Sequence, residues 1–149
     1  FDVIDRVRQR GAAPAVVSDA SLVGPGEARE LATRGVALVQ TTLLSTDRQT
    51  HARLKGRDTL DATVHAVALL RRVHVPVSVA FICTRMNHRD LEAVARLARA
   101  LGARSLVFSR LCTVGEAARL MREAGTSAVI VTGEPTEMNR SEAFFSAIR

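Results

Sequence analysis

VALVQTTLLSTDRQTHARLKG (residues 36–56) changes from an apolar run to a polar one within a few residues. Its first half is typical of a buried β-strand, because β-branched and aliphatic side chains pack well on a pleated surface. Its second half carries His51, Arg53 and Lys55 and predicts a polar loop. We therefore expect a strand whose carboxyl end leads directly into a group of charged side chains.

Helix and strand patterns alternate along the rest of the chain. Strands are predicted at 14–20, 36–44, 75–84, 104–112 and 127–133, and helices at 1–11, 24–35, 57–73, 86–102, 113–125 and from 139 onward. This alternation predicts an α/β fold in one domain over residues 1–149, with about five parallel strands. Either a doubly wound sheet or a partial (β/α) TIM-type barrel would fit, and helices at both ends of the chain favour the barrel.

Composition narrows the classes of partner. Of 149 residues, 47% are hydrophobic but only 3% aromatic, and the net charge is +6. Arg residues are spread over the predicted helices without a basic block, and few aromatic rings are available to stack on bases, so a nucleic-acid partner is not favoured. No apolar run approaches the ~20 residues of a membrane span.

Cysteine content and the chain ends lead to two further expectations. The two cysteines, Cys83 and Cys112, are too few and too far apart for a disulfide framework or a metal motif, so we expect a reducing, cytoplasmic environment. The sequence begins at Phe1 and ends inside a predicted helix, which leads us to expect a fragment of a longer product.

The carboxyl ends of parallel strands are where α/β proteins place their chemistry. No phosphate-binding loop, dinucleotide fingerprint, zinc-protease helix or nucleophile elbow occurs in the sequence, and the histidines lack metal-ligand spacing. Polar candidates at the predicted strand ends are Ser18, Asp19, Thr42, Ser45, Asp47, His51, Arg53, Cys83, Thr84, Arg85, Asn87, Ser109, Arg110, Cys112, Thr132, Gly133 and Glu134.

The opening stretch resembles a segment of radical SAM enzymes, particularly the SPASM-type branch that modifies peptides and matures cofactors. In that family a strand reading V-Q-x-S-L is followed by an Asp, a His and an Arg ahead of a Gly. The matching residues here are Val39, Gln40, Thr42 in the place of Ser, Asp47, His51, Arg53 and Gly56. The likeness extends over roughly residues 1–117.

The resemblance implies a partial barrel that holds S-adenosylmethionine against a [4Fe-4S] cluster, with a peptide as one class of substrate. Thr42 would hydrogen-bond the ribose hydroxyls, since a hydroxyl both donates and accepts. Arg53 would pair with the methionine carboxylate through its planar guanidinium. Ser18 and Asn87 would line the same cosubstrate site, and Glu134 would contact the methionine amino group.

The sequence also departs from the family pattern. The family's cluster motif, CxxxCxxC, is absent, so no metal ligand is expected in this chain. Ser18, Asp19 and Ala20 replace a Thr-Asn-Gly triplet, and Leu44 replaces an Asp. The segment around Glu134 resembles a Gly-Gly-Glu-Pro element that normally comes before the first helix, which indicates either coincidence or a rearranged barrel.

Each candidate residue also has a simpler interpretation. Thr42 could be an ordinary β-branched strand residue, and Arg53 a solvated charge. Asn87 could be a helix N-cap paired with Asp90 three residues on. Two functions therefore stay open: a cosubstrate-binding part of a radical SAM enzyme, inactive without a cluster-binding segment, or a non-catalytic α/β scaffold that binds a peptide, a protein or a small anion.

Overall fold

A computed structural model describes residues 1–110 of the chain. Four strands are present there: β1 (Ala15–Val17), β2 (Leu38–Thr42), β3 (Val77–Cys83) and β4 (Ser105–Arg110). Five helices accompany them: α1 (Asp2–Gln9), α2 (Pro25–Thr33), α3 (Arg48–Lys55), α4 (Leu60–Arg72) and α5 (Leu91–Ala100), the last preceded by a 3₁₀ turn at His88–Asp90. The predicted fifth strand, the last two helices, Cys112 and Glu134 lie outside the described residues.

The four strands form one parallel sheet in the order β1-β2-β3-β4. A doubly wound sheet reverses its strand order at a switch point, whereas a barrel winds in one direction. The described strands show no reversal, and the predicted α/β class with parallel strands is confirmed. This order favours the barrel interpretation over the doubly wound one.

Helices cover one face of the sheet. Val39 of β2 and Val77 of β3 pack in one cluster with Leu31 of α2 and Leu70 of α4. A second cluster joins β3 to α5 further along the sheet. Because successive strand residues point to opposite faces, Gln40 and Thr42 face away from the helices. On that face, within residues 1–110, β2 presents the polar side chains of Gln40 and Thr42 toward the carboxyl edge of the sheet.

The polar run that the sequence predicts as a loop is a helix, so that prediction is wrong. The Asp47 carboxylate accepts a hydrogen bond of 2.8 Å from the Thr50 N–H and caps the start of α3. Gly56 ends the helix with φ 75°, a left-handed conformation that costs glycine little. Hydrogen bonds from Thr50 also hold the pKa of Asp47 below its ordinary value. The two caps define the helix although it has no apolar stripe.

Thr41 leaves a buried hydroxyl unpaired on the helix-covered face of β2. Within residues 1–110, its Oγ1 is the buried side-chain oxygen that finds no hydrogen-bond partner. Thr41→Val keeps the side-chain shape and removes the unpaired hydroxyl, so we expect the free energy of unfolding to rise by about 1 kcal/mol. Urea unfolding followed by circular dichroism measures this difference.

Thr63→Val is the matched control, because the buried Thr63 hydroxyl donates to the Asp19 carbonyl at 3.0 Å. Its loss is expected to lower the free energy of unfolding by about 1 kcal/mol. A stability loss of equal size in both variants would show that the Thr41 hydroxyl has a partner after all.

Candidate functional site

The predicted residues Ser18 and Thr42 lie at the carboxyl ends of adjacent strands. Thr42 is the last residue of β2, half-buried and in register with Ala80 of β3. Ser18 directly follows β1, and its N–H donates to the Gln40 carbonyl at 3.0 Å, which continues the strand pairing by one residue. The Ser18 hydroxyl accepts from the Ala20 N–H at 3.1 Å. Both hydroxyl-bearing residues therefore stand at the same edge of the sheet.

The turn after β1 is held by Asp19. Its carboxylate accepts hydrogen bonds from the Ser21 N–H at 3.1 Å and the Ser21 hydroxyl at 3.0 Å, and it pairs with the Arg57 guanidinium. Burial raises the pKa of Asp19, but the bonds from Ser21 and Arg57 outweigh burial and bring the pKa below its ordinary value. Asp19 thus stays ionised and joins the β1 exit to the segment between α3 and α4.

Ala20 completes this turn in the left-handed region, with φ 60° and its side chain buried. Glycine adopts that conformation with little strain, whereas a side chain at this φ costs about 1–2 kcal/mol. The radical SAM enzymes that this sequence resembles have the Gly of their Thr-Asn-Gly triplet at this position. The turn keeps its left-handed geometry although the residue type differs.

Asn87 is fully buried, and its amide uses its whole hydrogen-bonding capacity. Oδ1 accepts from the N–H and hydroxyl of Thr84 at 2.7 and 2.8 Å, and Nδ2 donates to the carbonyls of Leu44 and Ile82 at 2.7 and 3.0 Å. The side chain makes no helix-capping bond, so the predicted capping pair with Asp90 is absent. Direct contact with a cosubstrate stays a prediction that requires Asn87 to give up one of these bonds.

His51 lies on the buried face of α3. Its Nδ1 is 3.4 Å from the Leu44 N–H, and its Nε2 is 3.4 Å from the Thr59 hydroxyl. Burial, followed by the charge of Lys55, lowers the pKa of His51 below its ordinary value of 6.5. The imidazole is therefore neutral at neutral pH, and Nδ1 accepts the Leu44 N–H. Sequence reasoning placed His51 in the polar loop and missed this structural contact.

Arg53 lies in the last turn of α3 with its side chain exposed. No ion pair or hydrogen bond engages its guanidinium within residues 1–110. Two residues on, Lys55 is half-buried, and burial lowers its pKa. The helix that follows β2 thus offers an unpaired guanidinium fork, which suits a planar carboxylate.

An iron–sulfur cluster does not fit the residues of this chain. No group of three His, Cys, Asp or Glu side chains within residues 1–110 is arranged to hold a metal ion. The whole sequence contains two cysteines, one fewer than the three-thiolate site that the resemblance implies. Burial raises the pKa of the Cys83 thiol, which further disfavours the thiolate that a metal requires.

No described helix is long and apolar enough to cross a membrane.

The structure brings Ser18 and Thr42 to one edge of the sheet, places Arg53 on the helix that follows β2, and buries Asn87 beneath the same edge. Glu134, the remaining predicted site residue, lies outside the described residues.

Comparisons with known proteins identify structures but no sequence relatives. No family model and no curated protein sequence matches the chain. Among solved structures, anSMEcpe with bound AdoMet matches 68% of this chain and 28% of its own, at 16% identity and a TM-score of 0.57. SuiB from Streptococcus suis matches 97% of this chain and 32% of its own, at 10% identity and a TM-score of 0.71.

A domain of pyruvate-formate lyase-activating enzyme from Bacteroides vulgatus is also similar, with 85% of each chain matched, 15% identity and a TM-score of 0.62. These neighbours are radical SAM enzymes. At such identities the likeness establishes the fold: a parallel sheet alternating with helices, as in radical SAM TIM-type barrels. The chain spans less than a third of the length of anSMEcpe and SuiB.

Proposed function

We propose that this chain forms part of the S-adenosylmethionine-binding barrel of a radical SAM enzyme that modifies a peptide or matures a cofactor. The observation that carries the proposal is the singly wound parallel sheet, similar to enzymes with bound AdoMet, with hydroxyl-bearing residues at the carboxyl edge. SuiB has been solved with its precursor peptide SuiA, and anSMEcpe with the Kp18Cys peptide, which supports a peptide substrate.

This chain's own task in the proposal is to bind and orient the cosubstrate. The Thr42 hydroxyl would bond the ribose, the Arg53 guanidinium would pair with the carboxylate, and Ser18 would line the same edge. Glu134 would contact the amino group. Since the cluster does not fit the chain's cysteines, we propose that activity requires a separate cluster-binding segment.

Arg53→Ala is expected to weaken S-adenosylmethionine binding by roughly 10- to 100-fold. A hydrogen bond to a charged group contributes about 1.5–3 kcal/mol, and each 1.4 kcal/mol corresponds to tenfold in affinity. Thr42→Val removes a neutral hydrogen bond and should cost about fivefold. Isothermal titration calorimetry of the folded variants measures both effects.

Arg71→Ala is the control for Arg53→Ala, because Arg71 is also an exposed arginine in the last turn of a helix, α4, at the other end of the sheet. Its affinity should equal that of the wild type. Equal losses in the Arg53 and Arg71 variants would indicate a general charge effect and contradict a specific carboxylate contact.

The second candidate function is a non-catalytic scaffold that binds a peptide, a protein or a small anion at the same strand ends. It is favoured by the cysteine content, since two cysteines cannot supply the family's cluster site. Anaerobic reconstitution with iron and sulfide of the chain joined to a CxxxCxxC cluster-binding segment, followed by titration with S-adenosylmethionine, separates the two functions. Specific peptide binding by the iron-free chain, with no affinity for S-adenosylmethionine, would favour the scaffold.

A further inference from the structure

Leu44, two residues beyond Thr42, is held on both sides of its backbone by buried side chains. Its N–H lies 3.4 Å from His51 Nδ1, and its carbonyl accepts from Asn87 Nδ2 at 2.7 Å. His51 and Asn87 are both 0% exposed. They belong to different βα connections, one after β2 and the other after β3. We call this arrangement of His51, Leu44 and Asn87 the Leu44 clamp.

The Leu44 clamp begins where the sheet ends. Directly after β2, the Leu43 N–H still donates to the Ala80 carbonyl of β3 at 3.1 Å. Leu44 is buried, so its N–H and carbonyl require partners although the neighbouring strand no longer supplies them. Two side chains replace the missing strand and extend the fixed part of β2 past Thr42.

A second pair of hydrogen bonds, at Ser45, reinforces the Leu44 clamp. The buried Ser45 hydroxyl donates to the Asp90 carboxylate at 2.6 Å and accepts from the Asp47 N–H at 2.9 Å. The connection after β2 is therefore tied to the connection after β3 at two successive residues, Leu44 and Ser45. The segment that follows Thr42 has little freedom to move independently of β3.

We propose that His51 and Asn87 are positioning residues that fix the backbone after Thr42 and so hold the Thr42 hydroxyl in place for S-adenosylmethionine. This inference rests on the proposed function for its ligand. The clamp itself rests on the hydrogen bonds around Leu44.

Protonation of His51 would open one side of the clamp, because a protonated Nδ1 donates and cannot accept the Leu44 N–H. Burial opposes protonation of His51 most strongly, and the positive charge of Lys55 opposes it as well. The negative charge of Asp58 and a hydrogen bond with the Ser45 backbone favour protonation. Because the folded pKa is lowered, the His51 contribution to stability is complete above about pH 6.5. It is lost as the pH falls below that value toward the folded pKa.

Two measurements on the wild-type chain test the clamp and its function separately. Amide hydrogen exchange by NMR reports the Leu44 N–H, with the Val39 N–H, bonded to the Pro76 carbonyl at 2.9 Å, as the reference within β2. Between about pH 7.5 and about pH 5.5 we expect Leu44 protection to fall by up to about tenfold relative to Val39. Because the folded pKa of His51 is lowered, S-adenosylmethionine affinity should fall only when the pH drops through that folded pKa.

His51→Asn and His51→Gln provide a matched pair of variants. The Asn side chain places an acceptor near the position of Nδ1 without a titrating group, whereas Gln extends toward the position of Nε2. We expect His51→Asn to bind S-adenosylmethionine within about threefold of wild type at pH 7.5, without the loss at lower pH. His51→Gln should bind about tenfold more weakly throughout. Any titration of the ligand itself is common to all three proteins.

The outcomes distinguish the inference from the function on which it rests. If the wild type binds S-adenosylmethionine but its affinity and the Leu44 protection do not change with pH, the positioning role is overturned and the proposed function stands. The same holds if His51→Asn keeps the full pH dependence of the wild type. If the folded wild type binds no S-adenosylmethionine at any pH, the proposed function fails and the inference fails with it.

Discussion

Phe81→Ala is expected to lower the free energy of unfolding by about 3–5 kcal/mol. Phe81 is completely buried in β3, in a cluster with Leu43, which directly follows β2, Leu60 of α4 and Val94 of α5. Its ring stacks on Phe108 of β4 with ring centroids 6.2 Å apart. Truncation removes a large apolar surface and leaves a cavity where β3 and β4 meet two helices and the segment after β2, which is why the cost is high.

Urea unfolding of the full chain measures this loss, with Leu22→Ala as the control. Leu22 is a large apolar residue that is 85% exposed, and its truncation should change stability by less than about 0.5 kcal/mol. A domain of this size has about 5–15 kcal/mol of stability, so the Phe81 variant should lose a large part of it. A loss below about 1 kcal/mol would contradict the packing of β3 against α5.

Asn87→Ala is expected to be about as damaging, at roughly 3–5 kcal/mol, for a different reason. The substitution leaves the carbonyls of Leu44 and Ile82 and the N–H of Thr84 without the partner that now satisfies them. Each buried group that loses its partner costs about 1–3 kcal/mol, and water would recover part of that cost by entering the space. Thermal or urea unfolding measures the total.

Arg85→Ala tests whether the stability loss of Asn87→Ala comes from the Asn87 side-chain amide or from any substitution in this connection. Arg85 lies in the same connection, with its side chain exposed, and its truncation should change stability by less than about 0.5 kcal/mol. If the Asn87 and Arg85 variants unfold at the same urea concentration, the four hydrogen bonds of Asn87 do not hold the connection together.

The alternation of helices and strands could be predicted from the sequence because apolar periodicity reports which face of an element is buried. The strand predicted at 75–84 corresponds to β3 (Val77–Cys83), and the strand predicted at 36–44 to β2 (Leu38–Thr42). Helix α3 was missed because His51 is its one buried residue and it therefore has no apolar stripe. Its signals were the caps, Asp47 at the start and Gly56 at the end.

The site could be predicted only in part. Ser18 and Thr42 share an edge because parallel strands bring their carboxyl ends together. The burial of Asn87 could not be predicted, since the bond to Leu44 joins residues 43 positions apart. Local pattern indicated an N-cap for Asn87, and the tertiary fold gives its amide a different set of partners. For His51, polarity indicated exposure, whereas the fold uses the neutral imidazole as an acceptor.

An NMR titration of the isotopically labelled full chain tests our proposal that the carboxyl edge of this sheet binds S-adenosylmethionine. We predict saturable shifts of the amides of Ser18, Thr42 and Arg53. Amides at the opposite edge, such as Ala37 and Arg104, should not move. Shifts confined to that opposite edge, or no shifts at millimolar cosubstrate with the chain folded, would contradict the account.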